Sequence, residues 1–160
     1  MGLPHRPTTG TTDVLGRLRR LSQRQRHAVL ATQDSELPYT SLVAFALTPE
    51  GRGLIFATAR DSRKYRNLRA NPAVALLLDS RTNSARDYLE AEAITVEGRA
   101  TALRRGRRKE LLAAALCRRH PRLRDFVTAA DTALIVVEAR QVVHVGRFQE
   151  VSVWKGGNDS

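Results

Sequence analysis

The sequence predicts a mainly β (α+β) protein, an antiparallel Greek-key β-barrel with helices at its periphery. Three observations lead to this fold class. About seven short segments have the composition of strands. Most of them follow one another across short turns, which favours antiparallel neighbours. Strands and helices do not alternate regularly, as a parallel sheet would require.

The chain has 160 residues, of which 42% are apolar. A chain of this length buries roughly 70% of its unfolded surface, so it can form a core without cross-links. Its single cysteine, Cys117, cannot form an internal disulfide and is expected to pack in the core. We therefore treat residues 1–160 as one domain, in which residues 1–11 are expected to be disordered and residues 12–26 to form an N-terminal helix.

The first half of the chain predicts an antiparallel meander. Apolar strands at 27–32 and 38–47 flank a polar loop, and a turn at 48–51 leads into a third strand at 53–58. The second half of strand 38–47 is apolar on both faces. A strand of this kind needs cover on both sides.

A helix is predicted at 63–70. Ser62 can cap its start, and it ends at Asn71 and Pro72, where the residue before proline disfavours further helix. A fourth strand at 74–79 follows, and after it the chain is polar and irregular as far as Tyr88.

The rest of the chain contains one long alternating strand, two helical pieces and the closing strands. Gly98 interrupts the long strand and suggests a bulge or bend. His120 and Pro121 separate the helical pieces. The predicted ranges are a strand at 91–103, helices at 107–119 and 123–129, strands at 132–138 and 141–148, and a further strand in the tail at 149–154.

The chain is strongly basic, with 27 Lys+Arg against 16 Asp+Glu and a net charge of +11. All the cations are arginines except Lys64, Lys109 and Lys155. An arginine bias is typical of GC-rich genomes, and it also suits a nucleic-acid or other anionic partner. The arginines fall into separate clusters without a groove-reading motif, so specific nucleic-acid binding is not expected.

The chain lacks the sequence features of a membrane or exported protein. The longest apolar runs, such as 42–47 and 74–78, fall far short of the ~20 residues that cross a bilayer. Residues 1–12 are polar and resemble neither a secretory signal nor an anchor. We expect no membrane association and a cytoplasmic location.

No common catalytic signature is present in the sequence. It contains no GxGxxG after a strand, no GxxxxGK[ST], no HExxH and no GxSxG. The four histidines share no metal-ligand spacing, so no metal site is predicted. No residue can be assigned as a catalytic acid, base or nucleophile.

One segment predicts an anion site, at the start of helix 63–70. Arg63 and Lys64 lie in the first turn, where cations oppose the positive end of the helix dipole by roughly 0.3–1 kcal/mol each. A bound phosphate would reverse that sign, and the hydroxyls of Ser62 and Thr58 could donate to it. The alternative is a solvated, arginine-rich turn.

The run HAVLATQDSELPYTSLVAF, the run LIFATARDSRKYRNLRANPAVALLL and the strand AITVEGRA together resemble the flavin-binding split β-barrel of the pyridoxamine 5′-phosphate oxidase superfamily. The resemblance covers about residues 25–155. It implies an FMN cofactor whose ring lies between the two subunits of a homodimer. It also implies that Thr58, Ser62, Arg63 and Lys64 bind the phosphate and that backbone groups of Ser41, Leu42 and Val43 face the ring.

The closing segment HVGRFQEVSVW resembles the Gly-x-Phe ending of the haem-utilisation branch of that superfamily. The resemblance brings Phe148 and Trp154 close to the cofactor or to the dimer interface. Ordinary packing of both side chains is the alternative.

The departures from the family pattern concern the substrate and the cofactor. Ser41 and Ala46 stand where the authentic oxidases carry Arg and Lys, and Ala93 stands near the position of a glutamine. These differences argue against pyridoxamine phosphate as the substrate. The sequence therefore predicts an FMN-dependent oxidoreductase acting on an unknown small molecule, with a non-catalytic flavin- or haem-binding protein as the alternative function and a deazaflavin as a further possible cofactor.

Overall fold

The structure is a computed structural model that describes residues 13–147 and 149–157. These residues form seven strands, five α-helices and one 3-10 turn. The strands are β1 His27–Gln33, β2 Pro38–Leu47, β3 Gly53–Ala59, β4 Ala73–Asp79, β5 Ala93–Ala102, β6 Thr132–Gly146 and β7 Glu150–Lys155. The helices are α1 Val14–Arg24, α2 Arg63–Ala70, α3 Asp87–Glu90, α4 Arg107–Arg119 and α5 Arg124–Thr128, with the 3-10 turn at Pro121–Leu123.

The strands form one antiparallel sheet that closes on itself. Its order is β3-β2-β1-β4-β5-β6-β7, and an additional pairing of β3 with β6 closes the first six strands into a barrel. The order β3-β2-β1-β4 brings the fourth strand back beside the first, which is a Greek key. The predicted fold class is confirmed.

The barrel is open along part of one seam. β2 pairs with β1 from Pro38 to Ala44. It pairs with β3 only from Phe45 to Leu47. Within the described chain, the β3-facing edge of residues 38–44 therefore has no neighbouring strand.

Apolar side chains form two cores, one on each side of the barrel wall. The inner core includes Phe45 and Phe56. The outer core lies between the β2-β3-β6 face and the helices α4 and α5, and it includes Ala46 and Leu116. The prediction that both faces of 38–47 are covered holds for its second half, because α4 of the same chain supplies the outer cover. Leu42 is 69% exposed on that strand.

Most predicted element boundaries agree with the structure, and two differ in kind. The strands expected at 132–138 and 141–148 are one continuous strand, β6. Its Arg140 is the extra residue opposite the register shift between Glu97 and Gly98, so the chain passes through a bulge instead of ending. The short helix α3 was not predicted. It lies beside a loop in which the Asp87 carboxylate accepts the backbone N–H groups of residues 82–84.

Helix α1 is fastened to the barrel by a buried histidine. Arg17 Nη1 lies 2.8 Å from Nδ1 of His144, and Nε2 of His144 lies 2.8 Å from Glu92 Oε2. A guanidinium can only donate, so Nδ1 accepts and Nε2–H donates to the carboxylate. The ring therefore connects the helix to the start of β5 through both of its nitrogens.

Helix α1 is shorter than the predicted 12–26. The Asp13 carboxylate caps it by accepting the N–H of Gly16 at 2.8 Å, and Gln25 is already extended. The disorder expected for residues 1–11 falls outside the described residues, as does Phe148. Among the described helices, none has the length and apolar character needed to cross a bilayer.

Candidate functional site

The N-terminus of α2 combines a serine cap with free backbone N–H groups. Ser62 Oγ accepts the N–H of Tyr65 at 3.2 Å and lies 2.8 Å from Oγ1 of the buried Thr58. The N–H of Arg66 donates to the Ser62 carbonyl. Within the described residues, the N–H groups of Arg63 and Lys64 have no acceptor. Free N–H groups at the positive end of a helix favour a bound anion.

A cavity of about 420 Å³ adjoins this helix start, and we call it the β2–β3 cavity. Its floor is the outer face of the sheet, where the small side chains of Ala44, Ala57 and Ala59 leave room. The described residues that line it are His27, Leu42, Val43, Ala44, Ala57, Thr58, Ala59, Ser62, Lys64, Leu123 and Phe126. A flat apolar floor therefore ends at a cationic, N–H-rich corner.

The free edge of β2 contributes backbone groups to the same region. The N–H of Phe45 donates to the carbonyl of Arg26, on the β1 side. Backbone groups alternate in direction along a strand, so those of Leu42 and Ala44 face the opposite edge, where β3 has not yet joined. The groups of Ser41 and Val43 face β1. Of the three residues predicted to present backbone groups to a ring, only Leu42 turns them to the open seam.

Arg63 points away from the β2–β3 cavity. Its guanidinium carbon lies 4.3 Å from the ring centroid of Tyr39, and Nη2 lies 3.9 Å from Asp34 Oδ2. Backbone N–H groups of Leu37 and Glu36 lower the pKa of Asp34, and Arg63 adds to that effect. Lys64 is thus the cation that lines the cavity, while Arg63 would have to turn to reach it.

The remaining predicted residues lie apart from the cavity lining. Trp154 is in β7, paired with Val142 and half-buried against the inner core. β7 extends to Lys155, so Trp154 lies within a paired strand. The Ser41 hydroxyl is enclosed and has no hydrogen-bond partner among the described residues. The structure does not bring Ser41 or Trp154 together with Ser62 and Lys64.

Sequence reasoning missed several residues of the cavity, chiefly His27, Leu123 and Phe126. Leu123 and Phe126 belong to the helical piece predicted at 123–129, but nothing in its pattern shows that it lies against β2 and β3. The alternation of small residues in the FATA run (56–59) was a usable signal. It marks a sheet face that no large side chain fills.

A second, more apolar cavity of about 420 Å³ continues from the first. The two share His27, Ala44 and Leu123, and the second also includes His120. His120 is buried, and its Nε2 donates to the carbonyl of Phe45 at 2.8 Å. Its ring centroid is 6.2 Å from that of the exposed His27.

The stability of the fold is expected to fall when His120 must take up a proton. Burial lowers the pKa of His120, and the neighbouring Arg119, His27 and Arg26 add to that effect, while the bond to Phe45 opposes it. The unfolded chain therefore binds the proton first, near the ordinary value of 6.5. The contribution of this group is complete above about pH 6.5 and is lost as the pH falls through the lower pKa of the folded state.

Urea unfolding of the wild type and of His120→Gln between pH 5 and 7.5 measures this effect. Glutamine keeps a donor for the Phe45 carbonyl but does not titrate. We expect a smaller loss of stability on acidification in the variant. Identical pH dependence in the two proteins would show that His120 does not carry the effect.

Chemically, the β2–β3 cavity can hold a flat ring system that carries an anionic group. Among the described lining residues, only His27 and Lys64 are titratable. The cavity therefore offers binding and orientation, and any redox chemistry in it must come from the ligand.

The family comparison matches a large part of the chain. The family model described as pyridoxamine 5′-phosphate oxidase matches residues 15–146, from α1 to the end of β6. Among curated proteins, none matches this sequence significantly.

Solved structures share the fold at low sequence identity. A haem-binding protein from Mycobacterium smegmatis has a TM-score of 0.80 at 18% identity, with 92% of this chain and 60% of that chain covered. HutZ, the haem storage protein from Vibrio cholerae, has a TM-score of 0.68 at 19% identity, with coverages of 80% and 91%. An FAD-binding protein from Mesorhizobium loti has a TM-score of 0.66 at 18% identity, with coverages of 80% and 89%.

This chain thus spans about three fifths of the length of the M. smegmatis protein. The structural likenesses show the barrel alone, whereas the family model spans nearly all of the described elements. The chain therefore belongs to the pyridoxamine 5′-phosphate oxidase family.

Proposed function

We propose that this protein binds FMN in the β2–β3 cavity and acts, as a homodimer, as a flavin-dependent oxidoreductase on a small molecule. One observation carries the proposal. The free N–H groups that begin α2, the Thr58–Ser62 hydroxyl pair and the Lys64 side chain meet at one end of a flat cavity with an alanine floor. An FMN molecule has the matching parts, a phosphate at one end and a planar ring at the other.

The phosphate would lie at the start of α2. Ser62 keeps its helix cap while its hydroxyl, together with that of Thr58, remains next to the anion. Lys64 supplies a full charge, and the N–H groups of residues 63 and 64 supply dipoles that need an acceptor. A phosphate there relieves the unfavourable position of the two cations in the first turn.

The ring would lie on the alanine floor. Ala44, Ala57 and Ala59 present an even surface, and Phe126 from α5 borders it. The backbone groups of Leu42 and Ala44 at the free edge of β2 can pair with the polar edge of a flavin. An isoalloxazine has apolar ring faces and one polar edge. The site offers an apolar floor for the faces and a hydrogen-bonding strand edge for the polar edge.

The proposed homodimer would cover what this chain leaves open. α4 already covers Ala46, so the apolar outer face needs a second copy only around Leu42, which is 69% exposed and borders the cavity. Phe126, which is also exposed, lines the same cavity as Leu42, and apolar side chains exposed together favour an interface there. The proposed location is the cytoplasm.

The bound flavin would supply two-electron redox chemistry, and the protein would supply binding and orientation. Lys64 holds the anionic end, and the β2 edge orients the ring. Ala46 is buried under α4, so this position offers no cation to a second phosphate. We therefore expect no significant oxidation of pyridoxamine phosphate.

Haem binding is the second candidate function, and one observation favours it. His27 is exposed where the β2–β3 cavity runs into the apolar cavity beside His120, so an imidazole is available along a continuous apolar groove. Neutral imidazole is a common haem ligand. Two of the structurally similar proteins, from M. smegmatis and V. cholerae, are a haem-binding and a haem storage protein.

A titration of the purified protein with FMN, a deazaflavin and haem, followed by absorbance, discriminates these functions. We expect FMN to bind, and we expect His27→Ala to keep its affinity within about threefold, since His27 borders the ring and not the phosphate. Light scattering on the same samples gives the oligomeric state. Haem binding that His27→Ala abolishes, with no FMN binding, would replace the flavin proposal by the haem alternative.

A further inference from the structure

A polar cavity of about 520 Å³ lies across the start of α2 from the β2–β3 cavity, and we call it the cationic cavity. It is bounded by α2, the loop between β5 and α4, and the end of α5. Five cations line it, Arg60, Arg69, Arg104, Arg105 and Lys109. Among its described lining residues there is no Asp or Glu.

None of these five cations has an ion-pair partner among the described residues, whereas three other exposed arginines do. Arg24, Arg81 and Arg108 form ion pairs with Glu92, Asp79 and Glu138 respectively, at 3.1–3.2 Å. In the cationic cavity no described carboxylate lies within ion-pair distance of any of the five. The like charges therefore repel one another across one concave surface, and a multiply charged anion would reverse that repulsion.

The backbone at the cavity edge adds to this imbalance. Gly106 precedes α4 and provides no side-chain cap, and the first turn of the helix brings Lys109 to the cavity. Arg107, Arg108 and Lys109 in the first turn oppose the dipole of this 13-residue helix, and Glu110 offsets them only in part. The uncapped start of α4 and the five cations therefore both favour a bound anion.

An aromatic ring stands among these cations. The guanidinium carbons of Arg60 and Arg69 each lie 5.9 Å from the ring centroid of Tyr65, and Arg60 donates to the Tyr65 hydroxyl at 3.2 Å. The ring holds the two arginines on the cavity wall without neutralising them.

The cationic cavity is separate from the β2–β3 cavity. Arg60 and Tyr65 line the first, whereas Ser62 and Lys64 line the second, so the start of α2 divides them. No described residue lines both cavities. An FMN phosphate at Ser62 would leave the five cations without an anion.

We infer that the cationic cavity binds a small ligand with a di- or triphosphate group, of the kind carried by nucleotides and inorganic polyphosphates. Five cations in one concavity match the charge of an oligophosphate better than that of a single phosphate. Nucleic acid is the less favoured partner, because unspecific strands need an extended groove with stacking aromatics, and Tyr65 is the one aromatic ring among the described lining residues.

Calorimetric titration of the full chain with inorganic tripolyphosphate at about 0.1 M salt tests this inference. We expect saturable binding that is much tighter than that of orthophosphate. The variant Arg104→Gln/Arg105→Gln should weaken it by about 30-fold or more, since each charge-assisted contact contributes about tenfold or more. The matched control Arg108→Gln/Arg118→Gln removes the same charge from outside the cavity and should stay within about threefold. All four residues are exposed, so both variants should fold, which circular dichroism checks.

Three outcomes would overturn the inference. The first is no saturable binding up to about 1 mM tripolyphosphate. The second is equal weakening in both variants, which would mean attraction to the overall charge alone. The third is an RNA oligonucleotide that displaces tripolyphosphate and binds more tightly.

A repeat of the titration on FMN-loaded protein tests whether the two sites are separate. It should show both ligands bound together, and mutual exclusion would overturn the assignment of two sites. Because the tripolyphosphate titration needs no flavin, its result stands apart from that of the proposed function.

Discussion

Arg63→Ala/Lys64→Ala is expected to weaken FMN binding by about 100-fold. Lys64 already lines the cavity, and Arg63 would turn from Tyr39 to the phosphate when FMN binds. Each side chain would then contribute a charge-assisted hydrogen bond worth roughly 1.5–3 kcal/mol, which corresponds to at least one decade in affinity per residue. Fluorescence titration of free FMN measures the loss. Arg118→Ala/Lys155→Ala is the matched control, since it removes one arginine and one lysine from exposed positions on α4 and β7.

The stability of the flavin-free protein should respond differently. Cations in the first turn of α2 oppose the helix dipole, so Lys64→Ala should leave the midpoint of thermal unfolding unchanged or slightly raised. Arg63→Ala also loses the contact with the Tyr39 ring, which offsets that gain. FMN should raise the midpoint in the wild type and not in the double variant. Equal FMN affinities in the wild type and the double variant would refute the assignment of the phosphate site.

Gly98→Ala is expected to destabilise the fold by roughly 3 kcal/mol. A Cβ atom at residue 98 would overlap the backbone oxygen of Glu138 and lie 2.9 Å from its carbonyl carbon. Both atoms belong to β6, which is held between β5 and β3, so neither can move without breaking barrel pairings. The reason for glycine is therefore the close approach of two backbones, and not an unusual φ.

The midpoint and slope of urea unfolding measure this loss. Gly157→Ala is a suitable control, because no atom lies within 4 Å of a Cβ added there. It should change stability by less than about 0.5 kcal/mol. If Gly98→Ala unfolds at the same urea concentration as the wild type, β5 and β6 do not approach this closely.

Elements with strong local signals were predicted with the right bounds. β2 has Pro38 at its start and a turn after Leu47, and α2 lies between the cap Ser62 and the Asn71-Pro72 end. Local chemistry decides these positions, because a cap or a proline acts on its immediate neighbours. β6 was divided wrongly at Ala139 and Arg140. Two polar or small residues resemble a turn in the sequence, whereas the ladder to β5 continues on both sides of them and carries the chain through a bulge.

The sequence by itself determined the barrel class, the bulge at Gly98 and the serine-capped, cationic start of α2, since each follows from a periodic pattern or from residues within a few positions of one another. Only the tertiary structure decided how these parts meet. Arg63 turns to Tyr39 and Asp34, which are distant in sequence, and leaves Lys64 at the cavity. α5 brings Phe126 against β3, and α4 covers Ala46. Such contacts depend on strand order and helix docking, which join residues from opposite ends of the chain and leave no periodic trace in either segment.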